Sequence, residues 1–154
     1  MQPHLKKIGQ QILQLLDTQQ FAVLATAGAT EPHASIISIA YTDNGSCILF
    51  LTPMQTRKYQ NIKRNPNVSL VIDARPASSA AIQKSCALTI RGKARDVLEK
   101  DRKRFMAAFI GRHPSLKTVS ADPAYALIAV KVRNYAFTSS LHRVTNIHPK
   151  ALMA

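Results

Sequence analysis

With 154 residues, 46% hydrophobic and 19% charged, the chain is long enough to bury one core and has the composition of a globular rather than a disordered protein. Two distant cysteines, no Cys-x-x-Cys pair and only strand-sized apolar runs exclude a disulfide framework, a zinc knuckle and a membrane-spanning helix. A formal charge of +13 attracts anions from a distance without choosing among phosphorylated cofactors, nucleic acid and acidic membrane surfaces.

In chain order, residues 3–17 place Leu5, Ile8, Ile12, Leu15 and Leu16 on one helical stripe, which predicts an amphipathic helix within an N-terminal segment 1–18. The period then changes. Residues 21–26 read as a strand that ends at the turn around Gly28, and residues 33–42 read as a second one. Asn44-Gly45 favours the positive backbone angles of a hairpin turn, so residues 47–52 are the returning strand, closed by Pro53. A short helix over residues 56–66 ends at Pro66, and a strand follows over 67–73. Residues 75–84 are small and polar enough for a loop. Strict alternation over 87–98 puts Leu88, Ile90, Gly92 and Ala94 on one face and Thr89, Arg91, Lys93 and Arg95 on the other.

A charged helix with Phe105 and Phe109 facing inward covers 99–111, the last strand starts at Tyr125 and extends to 132 or 138, and residues 139–154 are expected to be an irregular tail. Cys47 and Cys86 lie in apolar runs and are expected to be reduced core residues. The fold class is mostly β with flanking helices: a six-stranded antiparallel, closed or partly closed barrel, in one domain spanning 1–154. The first residues lack the long apolar core of a secretion signal, which makes the cytoplasm the expected compartment.

The most informative chemistry lies at the start of the middle helix. A helix N-terminus carries partial positive charge and favours acidic residues in its first turn, yet Thr56, read as the N-cap, is followed by Arg57 and Lys58. Two cations there need an anion to offset them, and the unpaired N–H groups of such an end donate readily to phosphate. Thr56 adds a hydroxyl and Arg57 grips two oxygens at once. The alternative is that both long side chains extend into water.

The run from Leu49 to Ile72, with its Leu-Thr-Pro-Met-Gln-Thr-Arg-Lys turn and Asn-Pro stop, resembles the flavin phosphate segment of the pyridoxamine phosphate oxidase-like family. The strands His33-Ala-Ser-Ile-Ile-Ser-Ile39 and Leu88-Thr-Ile-Arg-Gly-Lys-Ala94 are similar to their family counterparts, and the likeness covers most of residues 13–137. The resemblance implies a split-barrel homodimer with two FMN sites at the subunit interface. By matching position, Arg57 and Lys58 hold the FMN phosphate with Thr56 and Thr52, while Ser35, Ile36, Ile37 and Ser38 run beside the ribityl chain and ring system, largely through backbone atoms. Two departures accompany it. Ser35 stands where the vitamin-forming oxidase has an arginine, and the chain has no Trp for the C-terminal arm that completes that enzyme's substrate site.

The resulting expectation is an FMN flavoprotein, an oxidoreductase of unidentified small-molecule substrate in which the flavin carries hydride or electrons. No side chain declares itself as a catalytic acid or base. Two alternatives stay open: a non-catalytic flavin or haem carrier of the same fold, with His142 and His148 as haem ligands, and a basic nucleic-acid-binding domain. No metal site is expected, because the five histidines lack metal-binding spacing. Specific nucleic-acid readout is not expected either, because the cations are dispersed without interleaved aromatics; nor is a membrane partner.

Overall fold

The alternating apolar runs pair into one antiparallel sheet of eight strands: β1 (Phe21–Ala27), β2 (Pro32–Ser38), β3 (Ala40–Thr42), β4 (Cys47–Pro53), β5 (Asn67–Asp73), β6 (Cys86–Asp96), β7 (Tyr125–Ser139) and β8 (Arg143–Ile147). The computed structural model describes residues 3–75, 85–139 and 143–152, without the side chain of Asp43. The path across the sheet is β2-β1-β5-β6-β7-β4-β3, with β8 also paired to β7. The sheet curls until β2 packs alongside β4, and among the described residues no ladder joins those two strands. This is a split barrel. Around it lie α1 (Pro3–Thr18), α2 (Arg57–Arg64), α3 (Glu99–Arg112) and the single turn α4 (Lys117–Ser120).

Two features raise the strand number from the predicted six to eight. The predicted strand over 33–42 breaks at Ile39, whose N–H leaves the ladder to bond the carbonyl of Gln20 at 2.9 Å, so β2 and β3 pair with different neighbours. The predicted irregular tail over 139–154 instead contains β8, in register from Tyr135↔Ile147 to Ser139↔Arg143, and a 3-10 turn at Pro149–Leu152 packed on α1. Weak apolar alternation hid that strand, because three of its five residues are exposed and Ile147 is the one that is buried. Pro53 ends β4 rather than interrupting it, and the next N–H, of Met54, bonds Ala124 at 2.9 Å. Most of the predicted loop over 75–84 falls outside the described residues.

The inward faces of the strands bury Leu24, Ile48, Phe50, Leu70, Leu88, Ile90 and Ile128 together with the α1 stripe Ile8, Ile12 and Leu16. β4 is apolar on both faces because α3 covers its outer side, packing Phe105 and Phe109 on Leu49, Leu127 and Ala129. Buried area of this kind contributes about 25 cal/mol per Å² of apolar surface removed from water. Arg112 at the end of α3 donates to the carbonyls of Asp17 and Gln19 at 2.9 and 2.8 Å, which satisfies acceptors in the last turn of α1 and just past it. Cys47 is buried and Cys86 half-buried, neither in a disulfide, and burial pushes the Cys86 thiol up.

The Asn44-Gly45 pair takes the predicted left-handed angles, φ 56° and 84°. The buried carbonyl of Gly45 accepts the hydroxyl of Tyr135, a fully buried side chain. Burial drives the Tyr135 phenol far above its ordinary value of 10.0, and burial with a 2.6 Å hydrogen bond to Asp17 raises Tyr41 to about 12. Both groups are acids held neutral by the fold. Their stabilising contribution is therefore complete below the unfolded value near 10 and is lost as the pH rises above it. Tyr135→Phe leaves the Gly45 carbonyl without its donor, and the expected loss is about 1–3 kcal/mol in chemical denaturation. In an alkaline titration the phenolate absorbance of Tyr135 is expected to appear only together with the loss of circular dichroism.

Candidate functional site

The β4–α2 connection is shaped by hydroxyls turned toward the chain itself. Thr56 is the N-cap residue of α2 with extended φ and ψ, but its hydroxyl donates to the carbonyl of Pro53 at 2.8 Å instead of capping the helix. The same hydroxyl lies 3.1 Å from that of Thr52, which is buried. These bonds close the 53–56 turn. They leave the first turn of α2 without a side-chain cap and without an acidic residue, so its N–H groups point outward as unmatched partial positive charge.

Arg57 and Lys58 stand in that first turn, as the sequence predicts. Arg57 is not bare: Nη1 bonds Glu31 Oε1 at 3.0 Å, with both side chains more than half exposed. Lys58 makes no ion pair or hydrogen bond with a described residue and is half-buried. The sequence reading missed Glu31. It sits in the β1–β2 turn, closed by the Gly28 N–H on the Glu31 carbonyl at 3.0 Å, and only the three-dimensional turn brings it beneath α2.

A buried polar pair fixes that approach. Asn61 Nδ2 donates to Thr26 Oγ1 at 3.0 Å, joining α2 to β1 where neither side chain is exposed. At the far side of α2, Asp96 receives Lys63 at 2.6 Å and the Tyr59 hydroxyl at 3.1 Å, and those contacts raise the Lys63 pKa, the hydrogen bond first. α2 is thus held to β1 and β6, with β2 alongside.

The fold separates the four β2 residues by face. Ser35 and Ile37 pair with the buried Leu24 and Ala22 and share their inward side, whereas Ile36 and Ser38 pair with the exposed Val23 and Phe21. The Ser35 hydroxyl oxygen is buried without a hydrogen-bond partner. Such a group costs free energy unless something else satisfies it. Ile36 is 74% exposed and lies in one row with Val23 and Val71, which register across β2, β1 and β5. Phe21, two residues along β1 from Val23, lengthens that apolar stripe. Around the α2 end the structure therefore gathers Thr52, Thr56, Arg57, Lys58 and the flank of β2. Of the tail histidines, His148 is exposed and accepts the Lys150 N–H on Nδ1 at 3.2 Å, and His142 lies outside the described residues. Among the described residues no group of three His, Cys, Asp or Glu side chains converges as a metal site, and no helix is long and apolar enough to cross a membrane.

A split barrel whose β4–α2 turn presents uncapped N–H groups and paired cations defines the class. Residues 8–139 match the family model described as pyridoxamine 5'-phosphate oxidase, and the chain belongs to that family. A pyridoxamine 5'-phosphate oxidase homolog of Schizosaccharomyces pombe is 34% identical over 70 residues, which are 40% of this chain and 37% of that protein. Among solved structures, a heme-binding protein from Mycobacterium smegmatis superposes with a TM-score of 0.83 at 17% identity, covering 99% of this chain and 61% of its own. A FAD-binding protein from Mesorhizobium loti gives 0.66 at 15% identity, covering 83% and 90%. This chain therefore spans less than two thirds of the first two proteins. Relatives of this fold include binders of flavin and of haem.

Asn61→Ala removes the buried tether and leaves the Thr26 hydroxyl without its donor. The expected outcome is a loss of about 1–3 kcal/mol in denaturant unfolding, with faster hydrogen exchange confined first to α2.

Proposed function

We propose that this chain is an FMN-dependent oxidoreductase that works as a homodimer on a small molecule. The observation that carries the reading is the α2 end: an uncapped, acid-free first turn with Arg57 and Lys58 beside it, a donor set suited to a phosphate dianion. The unpartnered Ser35 hydroxyl on the adjoining strand supports a polar ligand continuing from that end along β2. FMN, when bound, supplies the hydride or electron chemistry. The chain's own residues bind and orient: Arg57 and Lys58 take phosphate oxygens with the α2 N–H groups, and Thr52 and Thr56 hold the turn in shape. Ser35, Ile36, Ile37 and Ser38 flank the remainder through the β2 backbone, with Ser35 adding its hydroxyl.

Family membership does not carry the vitamin-forming activity with it. The chain lacks Trp altogether, and Ser35 replaces a phosphate-directed arginine, so pyridoxamine phosphate is not the proposed substrate. The missing charge at Ser35 places more of the phosphate recognition on Arg57. Glu31 opposes it, because its carboxylate holds Nη1 of Arg57 and competes with an incoming phosphate.

The expected result in fluorescence titration is that FMN binds more tightly than riboflavin and that Arg57→Ala weakens FMN by about 1.5–3 kcal/mol. Glu31→Gln is expected to strengthen FMN binding about two- to fivefold, the worth of an exposed ion pair. Equal affinity for FMN and riboflavin, or an indifferent Arg57→Ala, removes the phosphate cradle from the reading.

The dimer rests on the stripe Phe21, Val23, Ile36 and Val71, which continues into the β2 flank of the site. Obligate interfaces are built from such apolar faces. Light scattering at low micromolar concentration is expected to give twice the mass of the chain, and Val23→Glu is expected to give a monomer with weakened FMN binding. A monomeric wild-type protein that retains FMN contradicts the shared site.

A further inference from the structure

At the opposite end of β4 from the phosphate cradle lies a cavity of about 480 Å³, between α3, the end of β6, the middle of β7 and the 3-10 turn after β8. Cys47 at its base and Thr52 at the cradle are five residues apart on β4, or roughly 17 Å at strand spacing. The two are separate places. Arg95, Arg104, Lys131, His148 and Lys150 line the cavity, and its one acid, Asp101, is paired to Arg104 at 3.5 Å. Arg95, Lys131 and Lys150 form no ion pair with a described residue.

The register adds a second observation. Lys131 stands directly opposite Lys93 across β6 and β7, and both are exposed on the side of the sheet that bears Arg95. Like charges placed opposite one another in a ladder destabilise it. The fold concentrates cations here without supplying the acids that would relieve them, although acid-paired lysine and arginine occur elsewhere on its surface, as in Lys63–Asp96 and Arg75–Asp73. The floor is apolar, made by Phe105, Ala129 and Pro149. A cation rim above an apolar floor of this volume fits a small organic anion of mononucleotide size.

We infer that this cavity is a second anion-binding site, for a small organic polyanion with at least two negative charges, whose phosphate or carboxylate groups meet Arg95, Lys131 and Lys150 while its apolar body lies against Phe105. The site is independent of the cradle around Arg57 and of the flavin reading. Its function would be effector binding or the seating of a charged substrate tail on the outer face of β7.

The test uses the full chain as purified and isothermal titration with ADP and with inorganic pyrophosphate at low ionic strength. The expected result is saturable binding of both, with one site per chain that persists in Arg57→Ala, where the cradle is removed, and with ADP tighter at that site because of the apolar floor. Arg95→Ala/Lys131→Ala is expected to weaken ADP at that site about tenfold or more, whereas Arg57→Ala and the charge-matched control Lys6→Ala/Lys7→Ala leave that site unchanged. Loss of binding in Arg57→Ala instead returns the anion to the cradle and overturns the proposal. So does equal weakening in the Lys6/Lys7 control, which signals surface charge alone, and so does unsaturable binding. Thermal unfolding of each variant keeps the result readable: Lys131→Ala relieves the pair with Lys93 and is expected to fold with unchanged or raised stability.

Discussion

β7 must satisfy two edges at once, and the rest of the structure follows from how it does so. One edge pairs with β6 from Cys86↔Ser139 to Asp96↔Ile128, while the other serves β4 up to Lys131 and then β8 from Tyr135 onward. The handover occurs where the Tyr135 hydroxyl reaches the carbonyl of Gly45, at the turn that starts β4. A β-bulge on β7 at the same level leaves Arg133 unpaired, because Arg91 and Gly92 of β6 pair with Asn134 and Val132. Position β4 by this bond and both of its ends are placed: Thr52 beside α2, and Cys47 beneath the cation rim.

Energetically, the molecule assigns different forces to different tasks. Apolar burial between the sheet, α1 and α3 supplies stability without direction. Direction comes from a few buried polar links, Tyr135 to Gly45, Asn61 to Thr26 and the His113 ring to the Ile39 carbonyl at 2.7 Å. Each of these joins elements far apart in sequence and is expensive to leave unmade. The surface charges do little for the fold, and their distribution is therefore free to reflect ligands.

Much of this was legible in the sequence, for local reasons. Helix α1, the Asn44-Gly45 turn, the alternation of β6 and the inward Phe105 and Phe109 are all written in spacings of two to four residues. Arg57 and Lys58 stand out because they contradict helix electrostatics, again a local signal. What could not be read depends on contacts made across the chain. The break at Ile39 answers to Gln20, β8 exists only as a partner of β7, and the α4 turn has too few residues to show a period. Thr56 was rightly placed at the helix start, but which way its hydroxyl turns is decided by Pro53. Glu31 carries no motif; its meaning comes entirely from the 26-residue separation that the barrel closes.

That separation gives the Glu31–Arg57 pair a property of its own. Glu31 is a counterion that cannot diffuse away, tethered by the turn that Gly28 closes. An anion that takes Nη1 of Arg57 displaces this carboxylate into the adjacent water instead of releasing a salt ion to the bulk. One fewer mobile ion then enters the exchange, so association at this arginine responds less steeply to ionic strength than its charge alone would require. The vacated carboxylate remains close enough to return as soon as the anion leaves, which makes the guanidinium self-screened in the empty state.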